Sequence, residues 1–321
     1  MRPRRCLTIA LIAAAMAGCL REPAEPMRVG TNMWIGYGPL YLARGRGFLD
    51  PKIKLVEFPA ASEAMRSLRN GAIDAACLTL DESLSLLEGE PDLAVALVFD
   101  VSHGADVVIA RPGIASARDL PGKRIGVEST ALGAYMLARL LEKTGIAAGA
   151  VTVVPVEIHE HEAAFRQGRI DAVITFEPVR TKILRTGAHV VFSSDEIPGE
   201  IVDVLVVRRD FLTRHGGRNV PTLRSLVESW YRAIAAVEAD PAGSARDLGQ
   251  RLELTPTEVL ATLQLVRYAG RAENRRLLGD EQALVPVARS LSRVMHAEGL
   301  VAKPIPYQGI FDLQVWRSLN P

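Results

Sequence analysis

The chain has 321 residues, 48% of them hydrophobic and 23% charged, a balance that excludes a disordered chain and can bury one large core or two ordinary ones. Its formal net charge is +1; setting aside Arg2, Arg4 and Arg5 in an expected leader, 38 basic residues less three leaves 35 against 37 acidic ones. No basic stripe with interleaved aromatics occurs, which disfavours nucleic-acid binding.

The first 19 residues have the anatomy of an export signal: basic MRPRR, an apolar run over 7–17, then Ala17-Gly18-Cys19. The run is well short of the roughly 20 apolar residues that span a bilayer. Small residues before a cysteine resemble a lipoprotein signal, cleaved before a diacylated Cys19, although Met16 departs from the usual leucine. Residues 1–18 are therefore expected to be a signal peptide and 19–26 a lipidated tether containing two prolines and two glutamates. With Cys19 lipidated, Cys77 is left without a disulfide partner, and in the strand AACLTL it reads as a buried hydrophobe.

The stretch 28–47, RVGTNMWIGYGPLYLARGRG, predicts a short buried strand, a turn punctuated by Gly36, Gly38 and Pro39, and a helix opening at Leu40. In open α/β sheets ligands sit in loops leaving strand carboxyl ends, where glycine lets them approach the backbone. Trp34, Gly36 and Tyr37 stand in this loop, the aromatics either capping the core or walling a ligand. A strand IKLVEF, a helix over 62–70 and a strand ending at Leu80 follow. Asp81 and Ser83 each suit a helix N-cap or a ligand contact; a cap is expected for Ser83 and a ligand for Asp81. The strand DLAVALVF leads through Ser102 and His103 to Asp106, which opens VVIA, expected to be the first strand crossing between lobes. Ser102, His103 and Asp106 join the candidate ligand contacts.

The second half opens with the strand RIGV, then Ser129 and Thr130 before a helix over 135–144 that begins at Tyr135. Hydroxyls at a helix N-terminus, beside free N–H groups, suit an anion or carbonyl oxygen, or ordinary capping. Tyr135 is a further candidate contact. His159 and His161 do not share a face on the helix that starts there, and no third ligand is evident, so no metal site is expected. The strand AVITF reaches Glu177-Pro178, HVVFSS follows, and 202–207 is expected to cross back. The remainder predicts helices over 222–237, from a capping box at 255–258 through Arg267, and over 280–298, all buttressing the first lobe.

The two halves repeat one another. MRVGTN with its following helix is answered by KRIGVEST with its own, and Arg69-Asn70-Gly71-Ala72-Ile73-Asp74-Ala75 by Arg166-Gln167-Gly168-Arg169-Ile170-Asp171-Ala172. Each later segment predicts a helix ended by glycine and then a strand, and the strands end at Asp81 and Glu177. Two such strand edges facing one another make a cleft. No nucleophile elbow or phosphate loop is present, and GTNMWIGYG carries bulky residues where a dinucleotide fingerprint needs tight turns. No enzyme activity and no cofactor are expected.

Trp34-Ile35-Gly36-Tyr37 with Pro39-Leu40-Tyr41-Leu42-Ala43 and Gly47-Phe48, the two Ile-Asp-Ala segments, Asp119-Leu120-Pro121-Gly122-Lys123-Arg124-Ile125-Gly126-Val127 and Glu177-Pro178 together resemble the solute-binding components of ABC importers for nitrate, sulfonates, taurine and thiamine-pyrimidine precursors. The resemblance implies a periplasmic-binding-protein-like type II α/β fold of two lobes with a hinge, a monomer lipid-anchored in the periplasm, and delivery of a small solute to a permease. Lobe 1 is expected over 27–110 and 205–321, lobe 2 over 111–204. Relatives of this fold that make a thiamine pyrimidine rely on iron and a cysteine-rich segment, which this chain lacks, and a receptor sensor lobe is a third possibility. The strand-end acids Asp81, Asp106, Glu177 and Asp203 point to a small nitrogenous solute, cationic or rich in N–H donors, held against Trp34 or Tyr37; nitrate or a sulfonate is the alternative.

Overall fold

In the computed structural model, which describes residues 26–89, 92–128 and 131–320, the apolar runs form two separate sheets. The expected signal peptide, Cys19, the tether up to residue 25, Ser129 and Thr130 lie outside the described residues. The chain runs β1 (Met27–Thr31), α1 (Gly38–Gly45), β2 (Ile53–Glu57), α2 (Ala61–Arg69), β3 (Ala75–Thr79), α3 (Leu80–Leu86) and β4 (Leu93–Ser102). It continues β5 (Asp106–Ala110), β6 (Arg124–Val127), α4 (Ala131–Thr144), β7 (Thr152–Pro155), α5 (His161–Arg166), β8 (Ala172–Phe176), α6 (Val179–Leu184) and β9 (His189–Ser193). The last part is β10 (Val202–Arg208), α7 (Arg209–Gly217), α8 (Val220–Ala239), α9 (Pro241–Leu252), α10 (Pro256–Thr262), β11 (Val266–Tyr268), α11 (Arg271–Leu278), α12 (Leu284–Ala297) and α13 (Leu313–Leu319).

The first sheet has the order β11-β4-β10-β3-β1-β2 and the second β7-β6-β8-β5-β9. Within each, a parallel trio, β2-β1-β3 or β7-β6-β8, is followed by an antiparallel strand, β10 or β5, that begins just after the chain changes sheet. The sequence repeat is thus a repeat of topology. The sheet change falls at 103–105, so Asp106–Ala110 belongs wholly to the second sheet, and the return falls at 194–201. Both precede the expected lobe boundaries at 110 and 205.

The repeated Ile-Asp segments do the same mechanical work in both halves. Asp74 Oδ2 accepts from the Arg28 backbone N–H at 2.9 Å and from its Nε at 3.3 Å, while Arg28 Nη2 reaches the Gly71 carbonyl at 3.4 Å. Asp171 Oδ2 accepts from Arg124 N and Nε at 2.9 and 3.1 Å, and Arg124 Nη2 donates to the Gly168 carbonyl at 2.8 Å. Gly71 and Gly168 sit at φ +71° and +73°, the left-handed conformation that turns each helix end into its strand without a Cβ clash.

The carboxyl-terminal helices pack on the first sheet through α8, whose Leu223, Leu226, Val227, Trp230 and Ile234 are buried. The helix expected from the capping box through Arg267 stops at Thr262, because 266–268 pairs antiparallel with β4 as an edge strand. The helix expected over 280–298 is α12, shorter at its start. Across the lobes, Arg185 makes two bonds to Glu258, at 2.8 and 2.6 Å, and Lys182 pairs with Glu253.

Asp74 is buried, whereas the Asp171 side chain is 25% exposed. Asp74→Ala is therefore expected to cost about 1–3 kcal/mol, leaving the part-buried Arg28 donors unpaired, and Asp171→Ala only about 0.5–1.5 kcal/mol where water substitutes. Urea unfolding of the two variants checks this, and equal losses would contradict it.

Candidate functional site

Strand register builds the facing edges. In the first sheet Asp203 lies opposite both Thr79 and Asp100, so three polar residues stand abreast where β3 and β4 end. In the second sheet Asp106 lies opposite Phe176. The gap between the edges is lined by Asn32, Trp34, Tyr37, Glu82, Asp106 and Asp203, with Ala61, Thr79, Leu132 and Phe176 completing the wall, and encloses about 20 Å³. That is room for about one water-sized group. The lobes are closed on each other, the Trp34 and Phe176 rings meeting edge to face with centroids 5.7 Å apart.

Behind the wall runs a hydrogen-bonded network. Tyr37 Oη donates to Asp203 Oδ1 at 2.5 Å, and Trp34 Nε1 donates to Asp100 Oδ2 at 3.4 Å. Asp100 and Asp203 stand side by side across β4 and β10. Burial drives both carboxyls well above the usual carboxylate range, with repulsion from Asp106 adding to it at Asp100 and from Asp100 at Asp203. Glu82 is raised by burial and by Asp81 and Glu128, and its Oε2 accepts from the Thr79 backbone N–H at 3.0 Å. Burial pushes Asp81 up to about 6. Asp106 is pushed up to about 7, by burial first, with Asp81 and Glu177 adding repulsion against a hydrogen bond from Ser102.

Asp81 Oδ2, Asp100 Oδ1 and Asp106 Oδ2 are buried with no hydrogen-bond partner among the described residues. Among the described residues no lysine, arginine or histidine lines the cavity. Burying carboxylates this way is costly unless they take up protons, a cation or N–H donors. The site is chemically a trap for positive charge or for hydrogen-bond donors.

The candidate residues divide into those the cleft brings together and those it does not. Trp34, Tyr37 and Asp106 line it, and Asp81 sits beside Glu82 on the first turn of α3. Gly36 serves the network and not an approaching ligand, since a Cβ there would lie 2.1 Å from both Asp100 Oδ2 and Trp34 Nε1. Ser102 is at the sheet change, bonded to Ser194 Oγ at 2.8 Å and accepting from Asp106 N at 3.3 Å. His103 is half exposed and pairs outward with Asp195 at 2.7 Å. The Tyr135 hydroxyl donates to Glu200 at 2.5 Å, tying α4 to the returning segment. Glu177 is consumed by α6, accepting from Arg180 Nη1 and Thr181 Oγ1, both at 2.9 Å. Ser83 donates to the Thr79 carbonyl at 2.8 Å, while the capping position belongs to Thr79. His161 bonds the Val156 carbonyl and Thr175 inside the second lobe. Asn32, Glu82, Leu132 and Phe176 enter the cleft unheralded; Asp203 stands there as one of the expected strand-end acids, and for Asp100 the signal was a single acid inside the apolar strand LVFDVS.

A carboxyl group held protonated by the folded state stabilises below its unfolded pKa and loses that contribution as pH rises. With Asp81 at about 6 and Asp106 at about 7 against 3.8 unfolded, and Glu82, Asp100 and Asp203 also raised, stability is expected to fall as pH rises from about 4 through about 7. Scanning calorimetry should give a higher Tm at pH 5.5 than at pH 8. Asp106→Asn should raise the Tm at pH 8, by about 2–4 °C per kcal/mol relieved. A Tm lowered by that substitution would contradict the charge assignment.

Among solved structures, the chain is similar to the alkanesulfonate-binding protein of Xanthomonas axonopodis pv. citri bound to MOPS, at 22% identity and TM-score 0.73 over 88% of this chain and 96% of that one. It is similar to the periplasmic aliphatic sulphonate binding protein of Escherichia coli, at 18% identity and TM-score 0.71, with 91% and 92% covered. A ligand-binding component of an ABC-type import system from Staphylococcus aureus gives 15% identity and TM-score 0.73, with 91% and 98% covered. No curated protein matches the sequence. The fold is the two-lobed, periplasmic-binding-protein-like type II architecture. A family model described as NMT1-like matches residues 21–252, and the chain belongs to that family.

Proposed function

We propose that this protein is the extracytoplasmic solute-binding subunit of an ABC importer, capturing a small nitrogen-containing solute between its lobes and presenting it to a permease. The observation that carries the solute class is Asp106, a buried carboxylate with one oxygen unpartnered among the described residues, in a cleft that also receives Glu82 and Asp203 and, among those residues, no cationic side chain. A protonated amine, amidine or N–H-rich heterocycle supplies the missing partners, with Trp34 and Tyr37 offering aromatic faces. Hinge closure removes the solute from water and makes occupancy readable as shape. The lobes are the units that move, with bending assigned to 103–105 and 194–201. The lipoprotein-like leader supports export and anchoring through Cys19 in the periplasm. The reading assigns no catalysis and a monomeric binding unit.

A second reading, a nitrate or sulfonate binder, is favoured by the sulfonate-binding neighbours; there the raised carboxyls would stay protonated and donate to the anion. The sign of the pH dependence separates the two. A cation favours ionised carboxylates and releases protons on binding, so its affinity rises from pH 5.5 to 8, whereas an anion is bound better as pH falls. Thermal shifts with amines, amides, pyrimidines and sulfonates at both pH values test this. Stabilisation by nitrogenous solutes that grows with pH is expected. Stabilisation by sulfonates alone, shrinking with pH, would refute the nitrogenous assignment.

A further inference from the structure

The cleft is not the only space at Asp106. A second cavity of about 10 Å³, lined by residues of the second lobe, shares Asp106, Leu132 and Phe176 with the main cleft. Apart from Asp106, Glu128 and Thr175 its walls are apolar: Leu132 and Met136 from α4, Ile174 and Phe176 from β8. Met136 is fully buried and lines this cavity, beside Ile174, without lining the main cleft. Gly133 keeps the roof low, since a Cβ there would come within 2.8 Å of the Glu128 carbonyl.

The juxtaposition is an acidic group at the mouth of a small apolar chamber. A bare cation satisfies the carboxylate and leaves the chamber unused. A purely apolar group fills the chamber and leaves Asp106 unpaired, which is costly for a buried charge. We infer that the solute is amphipathic, a nitrogen head at Asp106 bearing a methyl-sized apolar substituent that enters the chamber, and that Met136 sets the length accepted. The inference rests on the nitrogenous reading above and deepens it.

The length limit follows from volume. Each methylene moved from water into the chamber strengthens binding by about fourfold. Once the chamber is full, a further carbon must displace close-packed side chains, and affinity falls. Leu132 and Phe176 serve both spaces, so they orient the head relative to the tail. Met136 touches the tail alone.

The probes are ammonium and n-alkylammonium chlorides from methyl to butyl, ranked by thermal shift and by calorimetric Kd at pH 8. For the wild type, affinity is expected to rise about fourfold from ammonium to methylammonium and to drop beyond. Met136→Ala should move the optimum out by one or two carbons. Met136→Leu, close in volume, should leave the order unchanged and controls for any loss of fold in the alanine variant. Affinity independent of tail length in the wild type, or an optimum unmoved in Met136→Ala, overturns the tail assignment and leaves the nitrogenous reading standing. No binding of any member, with sulfonates still stabilising, overturns both.

Discussion

The structure turns on a charge problem. Two sheets end at one gap, and the residues that strand register and helix geometry deliver there are carboxylic acids without cationic partners. Asp100 and Asp203 are set side by side by pairing between β4 and β10. They are roofed by Trp34 and Tyr37, which donate to them. Closure then brings Asp106 of the second sheet against this group. A buried carboxylate in such surroundings must be neutralised, and protons from water or donors from a solute are the available means. Under the proposed function, solute capture, lobe closure and protonation are one equilibrium.

The duplicated framework makes the gap rigid on both sides. Arg28–Asp74 and Arg124–Asp171 anchor equivalent helix-to-strand turns, so the edges are presented by two copies of one supporting device. The hinge joins them with short polar links, the Ser102–Ser194 hydroxyl pair and the Gly104 N–H on Ser194 at 2.7 Å. At the rim, α6 bridges the two lobes. Its start is fixed by Glu177, which takes Arg180 and Thr181, and one turn on Lys182 and Arg185 reach Glu253 and Glu258 of the other lobe. These exposed pairs contribute little each, as suits a latch that has to reopen.

Much of this arrangement was legible in the sequence because a repeat constrains topology more than any single motif. Glycine-terminated helix ends ahead of Ile-Asp pairs placed both parallel trios, and from them the facing edges. The aromatic loop was legible as well, though Gly36 was misjudged: its space is taken by an indole–carboxylate contact formed with β4, a distant strand. Sequence order also could not reveal that Glu177 is spent on Arg180, or that Tyr135 is spent on Glu200, since both depend on which neighbour reaches the polar atom first. Glu82 escaped notice because a glutamate three residues after Thr79 reads as a capping box. It is one, and its carboxylate also lines the cleft. The strand at 266–268 was hidden in a helical pattern because pairing with an open sheet edge overrides local propensity.

The central claim is that the cleft carboxyls are held protonated near neutrality and that the solute replaces those protons. Carbon-13 NMR titration of side-chain carboxyls in the whole protein, with Asp106→Asn to assign the resonance, measures this directly. The account predicts that Asp106 titrates at about 7 and that a bound nitrogenous solute moves it down toward the ordinary carboxylate range. Titration of every cleft carboxyl below about 5 without solute would contradict the account.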